Sequence, residues 1–155
     1  MGVSIEELHP TQQDEVNIIT DAIESVTGVT YQQILSKNRQ RYIVDARKFL
    51  VNVLRKHVNF TCYQAGKVID KDHTTVVHYT KVHKNHMQEP EYRRMFGAIS
   101  GIFLIQKNVR DDERLQEQFK DLQRRTKTLL ESLEAQEKVF TVRQSIIDTD
   151  SINSY

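Results

Sequence analysis

Cysteine is almost absent from this sequence, and tryptophan is absent altogether. The single cysteine, Cys62, excludes an internal disulfide and a zinc site built from several cysteines. This cysteine usage fits a reducing compartment. With 38% hydrophobic and 28% charged residues, the 155 residues can form one ordinary domain, or one small domain with appendages, around a modest core.

Long hydrophobic runs are missing as well. The best candidate, residues 96–105, is about half as long as a membrane-spanning helix requires. The first ten residues lack the basic and apolar regions of a signal peptide, and Glu6 stands where a myristoylation motif has Ser or Thr. We therefore expect no membrane association and a cytoplasmic location.

Charge is distributed unevenly along the chain, although the total is only +1. Residues 36–84 contain eleven Lys and Arg against three acidic residues, a net charge of +8, so the remainder carries −7. Such asymmetry favours an anionic partner for the middle segment. A solvated helical surface is the alternative interpretation.

Apolar residues recur at helical spacing, and no long alternating pattern typical of strands occurs in the first hundred residues. The spacing predicts a helix over residues 11–26, with Gly28 as its stop signal. A short helical turn follows, entered through Thr30, with Ile34 and Leu35 facing inward. Residues 41–57 form a strongly amphipathic helix, on which Arg47, Arg55 and Lys56 are expected to face solvent. The fold class is therefore all-α.

A helix-turn-helix is predicted next. Thr61 and Gln64 fit a capping box that starts a short helix ending near Ile69. Residues 70–71 form the turn. A second helix then runs from Asp72 or His73 to about residue 85, with Val76 and Val77 facing inward. Pro90 suits the first position of a further helix.

A heptad pattern marks the C-terminal part of the chain. It predicts a long amphipathic helix over residues 108–140. The domain that precedes this helix is predicted over residues 11–107, and an N-terminal extension over residues 1–10. The apolar face of this helix could join a homodimer or another protein partner through residues 115–140. It could instead fold back on the domain, or the helix could remain free. Residues 141–155 are polar and predict a mobile tail. The heptad positions are Leu115, Phe119, Leu122, Thr126, Leu129, Leu133, Gln136 and Phe140.

The stretch KDHTTVVHYTKVH, residues 71–83, carries the residue types of several chemistries. Adjacent helical residues diverge by about 100°, so Asp72, His73 and Thr74 do not form a hydrolytic triad on one helix. The histidines at 78, 83 and 86 lack the cysteine or acidic partners of a metal site. We therefore predict no enzyme activity, no metal and no cofactor.

DNA recognition fits the same residues. The first turn of a recognition helix meets base edges in the major groove. There an Asp accepts from cytosine, a Thr methyl packs on thymine and a His ring nitrogen donates to a purine acceptor. In the alternative interpretation Asp72 only caps the helix, and Thr75 only hydrogen bonds back to its own helix.

The segment Asp72-His73-Thr74-Thr75-Val76-Val77-His78 resembles the DHTTV-x-H signature of the C-terminal DNA-binding domain of DnaA, the bacterial chromosomal replication initiator. Upstream, residues 34–41 (ILSKNRQR) followed by Ala46-Arg47 are similar to the basic segment of that domain, and Asn59 and Gly66 also match. The resemblance covers roughly residues 12–105. It implies the fold of domain IV of DnaA, which is a helix-turn-helix bundle like that of the Trp repressor.

The resemblance also implies roles for single residues. Arg39 would enter the minor groove, Lys37 and Arg41 would hold phosphates, and Arg47 would contact the DNA backbone or a base. Asp72, His73, Thr74 and Thr75 would read the major groove, at a site similar to TTATCCACA. The predicted DNA-binding residues are Lys37, Arg39, Arg41, Arg47, Lys48, Thr61, Lys71, Asp72, His73, Thr74, Thr75, His78 and Lys81.

This sequence also departs from the family pattern. Lys48 replaces a Gln, Cys62-Tyr63 replaces Leu-Pro, and the turn before Asp72 lacks its usual Gly. No Gly-x-x-x-x-Gly-Lys-Ser/Thr loop occurs, so we expect no nucleotide binding and no ATP-driven origin melting.

The predicted function is sequence-specific binding of double-stranded DNA at DnaA-box-like sites. It would regulate or compete in replication initiation or transcription, near the nucleoid of a bacterium or in its phage. A protein-interaction module that uses the heptads and a nonspecific DNA binder are the alternatives.

Overall fold

The computed structural model describes the backbone of residues 7–153 and the side chains of residues 7–148. Six α-helices make up its regular structure, and the described residues contain no strand, so the all-α prediction is confirmed. The chain divides into two compact units at Val109. The helices are α1 (Pro10–Thr27), α2 (Tyr31–Leu35), α3 (Arg41–His57), α4 (Cys62–Ile69), α5 (His73–His86) and α6 (Pro90–Asn153).

Local capping signals fix where the short helices begin and end. Thr30 and Thr61 each accept a hydrogen bond from the backbone N–H three residues later, where a Gln side chain returns the bond. Gly28 ends α1 with a φ of 76°, a left-handed conformation that costs glycine little. The capping box at Thr61 and the stop at Gly28 are therefore confirmed.

Helix α3 is the centre of the first unit, because it packs against α1, α2, α4 and α5. This packing buries polar residues as well as the apolar face that the sequence predicted for the helix. Arg47 and Lys48 are only 2% and 7% exposed. The prediction that Arg47 faces solvent was therefore wrong. The fully buried large side chains are Phe49, Phe103, Ile19, Ile23, Ile34, Ile43, Leu50, Leu54, Ile69, Ile99, Val16 and Val29.

The turn between α4 and α5 depends on one close backbone approach. The backbone N–H of Lys71 donates to the Gly66 carbonyl at 2.9 Å. A Cβ atom on Gly66 would lie 2.6 Å from the Lys71 carbonyl oxygen, closer than packed atoms allow. Asp70 ends α4 in a left-handed conformation with φ of 54°. Val76 is buried as predicted, whereas Val77, predicted to face inward, is 37% exposed.

Helix α6 continues from Pro90 to Asn153. It therefore runs through residue 108, and also through the predicted tail as far as the structure describes it. No Gly or Pro follows Gly101 to interrupt the helix. The sequence predicted an extension over residues 1–10. Its first six residues lie outside the described part of the chain, and Pro10 already belongs to α1. No helix in the described part of the chain combines the length and the hydropathy that a membrane span requires.

Candidate nucleic-acid interface

The first turn of α5 presents a hydrogen-bonded group of polar side chains, which we call the reading turn (residues 72–75). The Asp72 carboxylate accepts from His73 Nδ1 at 2.7 Å through Oδ1, and from Thr74 Oγ1 at 3.1 Å through Oδ2. Its side chain is 66% exposed and that of His73 is 38% exposed. The structure therefore brings Asp72, His73 and Thr74 together on an accessible surface.

Asp72 occupies the N-cap position of α5, but its side chain makes no capping hydrogen bond. Its carboxylate is instead oriented by Thr74 and His73. The hydrogen bond from Thr74, followed by that from His73, lowers the pKa of Asp72 below its usual value. Asp72 is therefore an ionised acceptor held in one direction, which suits the amino group of cytosine or adenine.

The ring of His73 is fixed by two neighbours. Because a carboxylate only accepts, Nδ1 carries the hydrogen that reaches Asp72. Neutral His73 therefore offers Nε2 as an acceptor, and only the protonated ring would donate there. The sequence-based hypothesis that His73 donates to a purine thus requires the imidazolium form.

Tyr63 is the second neighbour of His73, and sequence reasoning missed it. Its ring stacks on the imidazole with centroids 4.4 Å apart and planes 22° apart, while 65% of the residue remains exposed. Tyr63 replaces a Pro of the family pattern, and an exposed aromatic residue at this position was the available signal. An exposed ring of this kind can also pack on a sugar or a base.

A second exposed basic element is the loop between α2 and α3, here called the basic loop (residues 36–40). Lys37 and Arg39 are exposed there. The loop is held from within, because Asn38 Oδ1 accepts from the Gln40 backbone N–H at 2.9 Å and Ser36 Oγ donates to the Gln33 carbonyl at 2.6 Å. Its two cations therefore project from an ordered backbone.

Arg47 supports the basic loop from below. Its Nε donates to the Ile34 carbonyl at 2.7 Å, and its terminal nitrogens donate to the carbonyls of Asn38 at 2.7 Å and Ser36 at 2.5 Å. The guanidinium has no free surface for a phosphate or base, so the prediction of a direct DNA contact by Arg47 is corrected. Its fork geometry instead joins helix α3 to the loop.

Two further predicted contacts are engaged within the protein. Lys48 is buried, and its Nζ pairs with Asp45 Oδ1 at 3.3 Å, so its predicted DNA contact is also corrected. Arg41 is 74% exposed but pairs with Glu89 Oε2 at 2.9 Å. Exposed ion pairs of this kind contribute about 0–1 kcal/mol, so a phosphate can compete for Arg41.

The remaining predicted residues lie along α4 and α5. Thr61, His78 and Lys81 are exposed, and Lys71 is half-buried in the turn. The Thr61 hydroxyl is already used in capping α4. Helix α2, which precedes the basic loop, is joined to α4 by the Tyr31 hydroxyl, which donates to the Val68 carbonyl at 2.5 Å.

Other histidines of α5 have structural partners. His83 Nδ1 lies 2.7 Å from the Tyr92 hydroxyl, and His86 Nδ1 lies 2.9 Å from Glu89 Oε1. Within the described part of the chain, no three His, Cys, Asp or Glu side chains converge as metal ligands would.

Comparison with known proteins agrees with this geometry. Residues 16–82 match the family described as the bacterial dnaA protein helix-turn-helix. A stretch of 67 residues, 43% of this chain, is 33% identical to the chromosomal replication initiator protein DnaA of Kosmotoga olearia. The matched stretch spans only 15% of that protein's length. The family is a DNA-binding one, and residues 16–82 of this chain form a helix-turn-helix domain like domain IV of DnaA.

Proposed function

We propose that this chain binds double-stranded DNA in a sequence-specific manner, at sites similar to the DnaA box, with the reading turn in the major groove. The observation that carries the proposal is the exposed, mutually oriented group of Asp72, His73 and Thr74 at the start of the second helix of a helix-turn-helix. Side chains at this position meet base edges when such a helix enters the groove.

The electrostatic part of binding would come from the basic loop and its surroundings. Lys37 and Arg39 are exposed cations on a loop that Arg47 holds in place. An Arg on such a loop can enter a narrow minor groove, where the negative potential is strongest. Arg39 would therefore add shape readout to the base contacts of α5, and no nucleotide takes part.

At the level of regulation, the chain would compete for initiator sites or repress transcription near them. The matched stretch covers the DNA-binding part of the initiator alone. A site occupied by this chain would be closed to the initiator and to other proteins that bind there.

Fluorescence anisotropy tests the proposal with two labelled duplexes, one containing TTATCCACA and one scrambled, at about 50 and 200 mM salt. We expect a preference for the first duplex that persists at the higher salt. Equal binding that collapses with salt would establish a nonspecific binder instead. No binding to either duplex would overturn DNA binding altogether.

Two variants separate the contacts. Thr74→Ala is expected to lose sequence discrimination by about 1–3 kcal/mol, because it removes a base-facing group. Arg39→Ala is expected to weaken binding to both duplexes and to reduce its salt dependence. Arg94→Ala is the matched control, since Arg94 is exposed on α6 outside the proposed interface. Equal affinity of wild type, Thr74→Ala and Arg39→Ala would contradict the proposed interface.

A further inference from the structure

The second unit presents a long, mostly apolar stripe, which we call the seam. It consists of the eight heptad positions from Leu115 to Phe140, spaced alternately by four and three residues. Its six large apolar side chains are between 59% and 68% exposed. A stripe this long is typical of a helix that packs against another helix, because exposed apolar patches of such length are uncommon on soluble monomers.

We propose that a second copy of this chain covers the seam, in an antiparallel two-stranded coiled coil formed by residues 115–147. The pairing concerns the second unit and does not depend on DNA binding. Three features carry the proposal, namely the order of the polar positions in the seam, the exposed Leu130 beside it, and the distribution of charge beside it.

The polar positions match when the two copies run in opposite directions. In antiparallel coiled coils each a position packs against a d position of the other helix. With the two-fold axis at Glu131, Thr126 lies opposite Gln136 of the second copy. All the other layers keep the a-to-d rule, and they are apolar except for the layer that places Phe119 opposite Arg143. Leu129 lies opposite Leu133, Leu122 opposite Phe140, and Leu115 opposite Ile147.

An apolar residue beside the seam, Leu130, also lies close to this two-fold axis. Leu130, an e position, is 54% exposed. Antiparallel pairing brings e positions of the two copies to the same flank, so the two copies of Leu130 approach each other across the axis. In a parallel pair the e positions lie on opposite flanks, and Leu130 would not meet its own copy.

Charges beside the seam favour the antiparallel arrangement over the parallel one. Three cations occur within residues 124–127, and acidic residues occupy positions 131, 134 and 137. In a parallel, in-register pair the e position Glu137 would face the g position Ser132 of the second copy, so it would gain no cation. The antiparallel pair instead places Lys127 at the height between Glu134 and Glu137 of the second copy, on the same flank.

Antiparallel pairing has a geometric consequence. The helix-turn-helix precedes residue 115 in the chain, so the two domains would be attached at opposite ends of the paired segment. That segment of 33 residues is about 50 Å long at the rise of an α-helix. The dimer would therefore carry two DNA-binding domains suited to separate sites rather than to one palindrome.

Light scattering combined with size-exclusion chromatography tests the association on the full chain. We expect a mass twice the 18.2 kDa of one chain, falling toward one chain on dilution. Thr126→Asp is expected to weaken dimerisation by about tenfold or more, because it places a carboxylate in the seam. A mass of one chain at every concentration would overturn the proposal.

Thr128→Asp is the matched control for that variant. Thr126 and Thr128 are both exposed, and their hydroxyls donate to the carbonyls four residues earlier at 2.9 and 3.0 Å. Only Thr126 lies on the seam, so the Thr128 variant is expected to dimerise as the wild type does. Equal behaviour of the two variants, at equal helix content by circular dichroism, would contradict the use of the seam.

Disulfide trapping decides the direction of pairing. In a Cys62→Ala background, Leu130→Cys is expected to cross-link two copies, whereas Leu122→Cys is not, since its antiparallel neighbour is Phe140 of the other copy. A parallel pair would give the opposite result. Cross-linking through position 122 alone would therefore overturn the antiparallel proposal.

Discussion

Two parts of this chain carry the same helical repeat of apolar residues and end in opposite environments. Up to Val109, the side chains at these positions are buried, as for Phe49 at 1% exposure and Leu50 at 0%. Beyond it, Phe119 and Leu129 are 60% and 65% exposed. The repeat specifies a helix with an apolar face in both parts, but burial requires neighbouring helices. Helix α3 packs against α1, α2, α4 and α5, and its Phe49 also contacts Tyr92 and Phe96 of α6.

The largest expected difference between the two parts comes from the same substitution, Phe to Ala, made once in each. Phe49→Ala is expected to destabilise the first unit by about 3–5 kcal/mol, because it leaves a cavity among Tyr92 and Phe96. Phe119→Ala is expected to change that stability by less than about 0.5 kcal/mol. Urea unfolding followed by tyrosine fluorescence measures both, since five of the six tyrosines precede residue 110. Similar losses in the two variants would remove the contrast.

Two arginines eight residues apart provide a second pair. Arg47→Ala is expected to cost about 3 kcal/mol, because several carbonyls of α2 and the basic loop lose a buried donor. Arg39→Ala is expected to leave stability within about 0.5 kcal/mol while weakening DNA binding. Arg47→Lys should not restore stability, since an ammonium lacks the guanidinium fork. A stable Arg47→Lys protein would show that the charge alone is sufficient.

Stability should also fall as the pH is lowered from 7 to 5. Burial, and then the positive charge of Lys56, His86 and Lys48, lowers the pKa of His83 to about 4. The unfolded chain therefore takes up a proton near pH 6.5 that the folded chain refuses, so stability present above that pH is lost as the pH falls toward 4. The expected loss between pH 7 and pH 5 is about 1–2 kcal/mol.

The control for this pH effect is His83→Gln, which cannot titrate. The pKa of His57 is lowered as well, by burial and by Lys56 and Lys107, so it adds a slope of the same sign in both proteins. The difference between the wild type and His83→Gln therefore isolates His83. Parallel urea-midpoint curves against pH would contradict the assignment.

The smallest expected effect concerns two exposed tyrosines. Tyr63→Ala is expected to weaken DNA binding by about 1 kcal/mol, because the His73 ring loses the face that it stacks on. Tyr42, 52% exposed on α3, is the matched control, and its replacement should leave affinity unchanged. Anisotropy titrations with the TTATCCACA duplex measure both. An unchanged affinity of the Tyr63 variant would show that His73 is held by Asp72 alone.

Local signals predicted most helix boundaries. Thr61 with Gln64, Gly28 and Pro90 act through hydrogen bonds and backbone angles within a few residues, so the sequence contains all that they need. The helix over residues 41–57 was predicted with the bounds that the structure has. The reading turn was likewise found from its residue types and from the family resemblance.

The roles of Arg47, Lys48 and Tyr63 escaped sequence reasoning for one common reason. Each depends on groups distant in sequence: Arg47 on the loop carbonyls, Lys48 on the helices that pack around α3, and Tyr63 on the His73 ring. Periodicity assigns a side chain to a face of its own helix. It does not state which neighbouring helices cover that face.

The sequence alone determined the helices, their caps, the charge asymmetry and the heptad order, because these follow from interactions between residues close in the chain. Tertiary packing decided which cations remain accessible and brought the Tyr63 ring of α4 against the His73 ring of α5. Arg39 and Arg47 are both arginines of one basic segment, yet only the packing of α2 against α3 makes one a support and leaves the other at the surface.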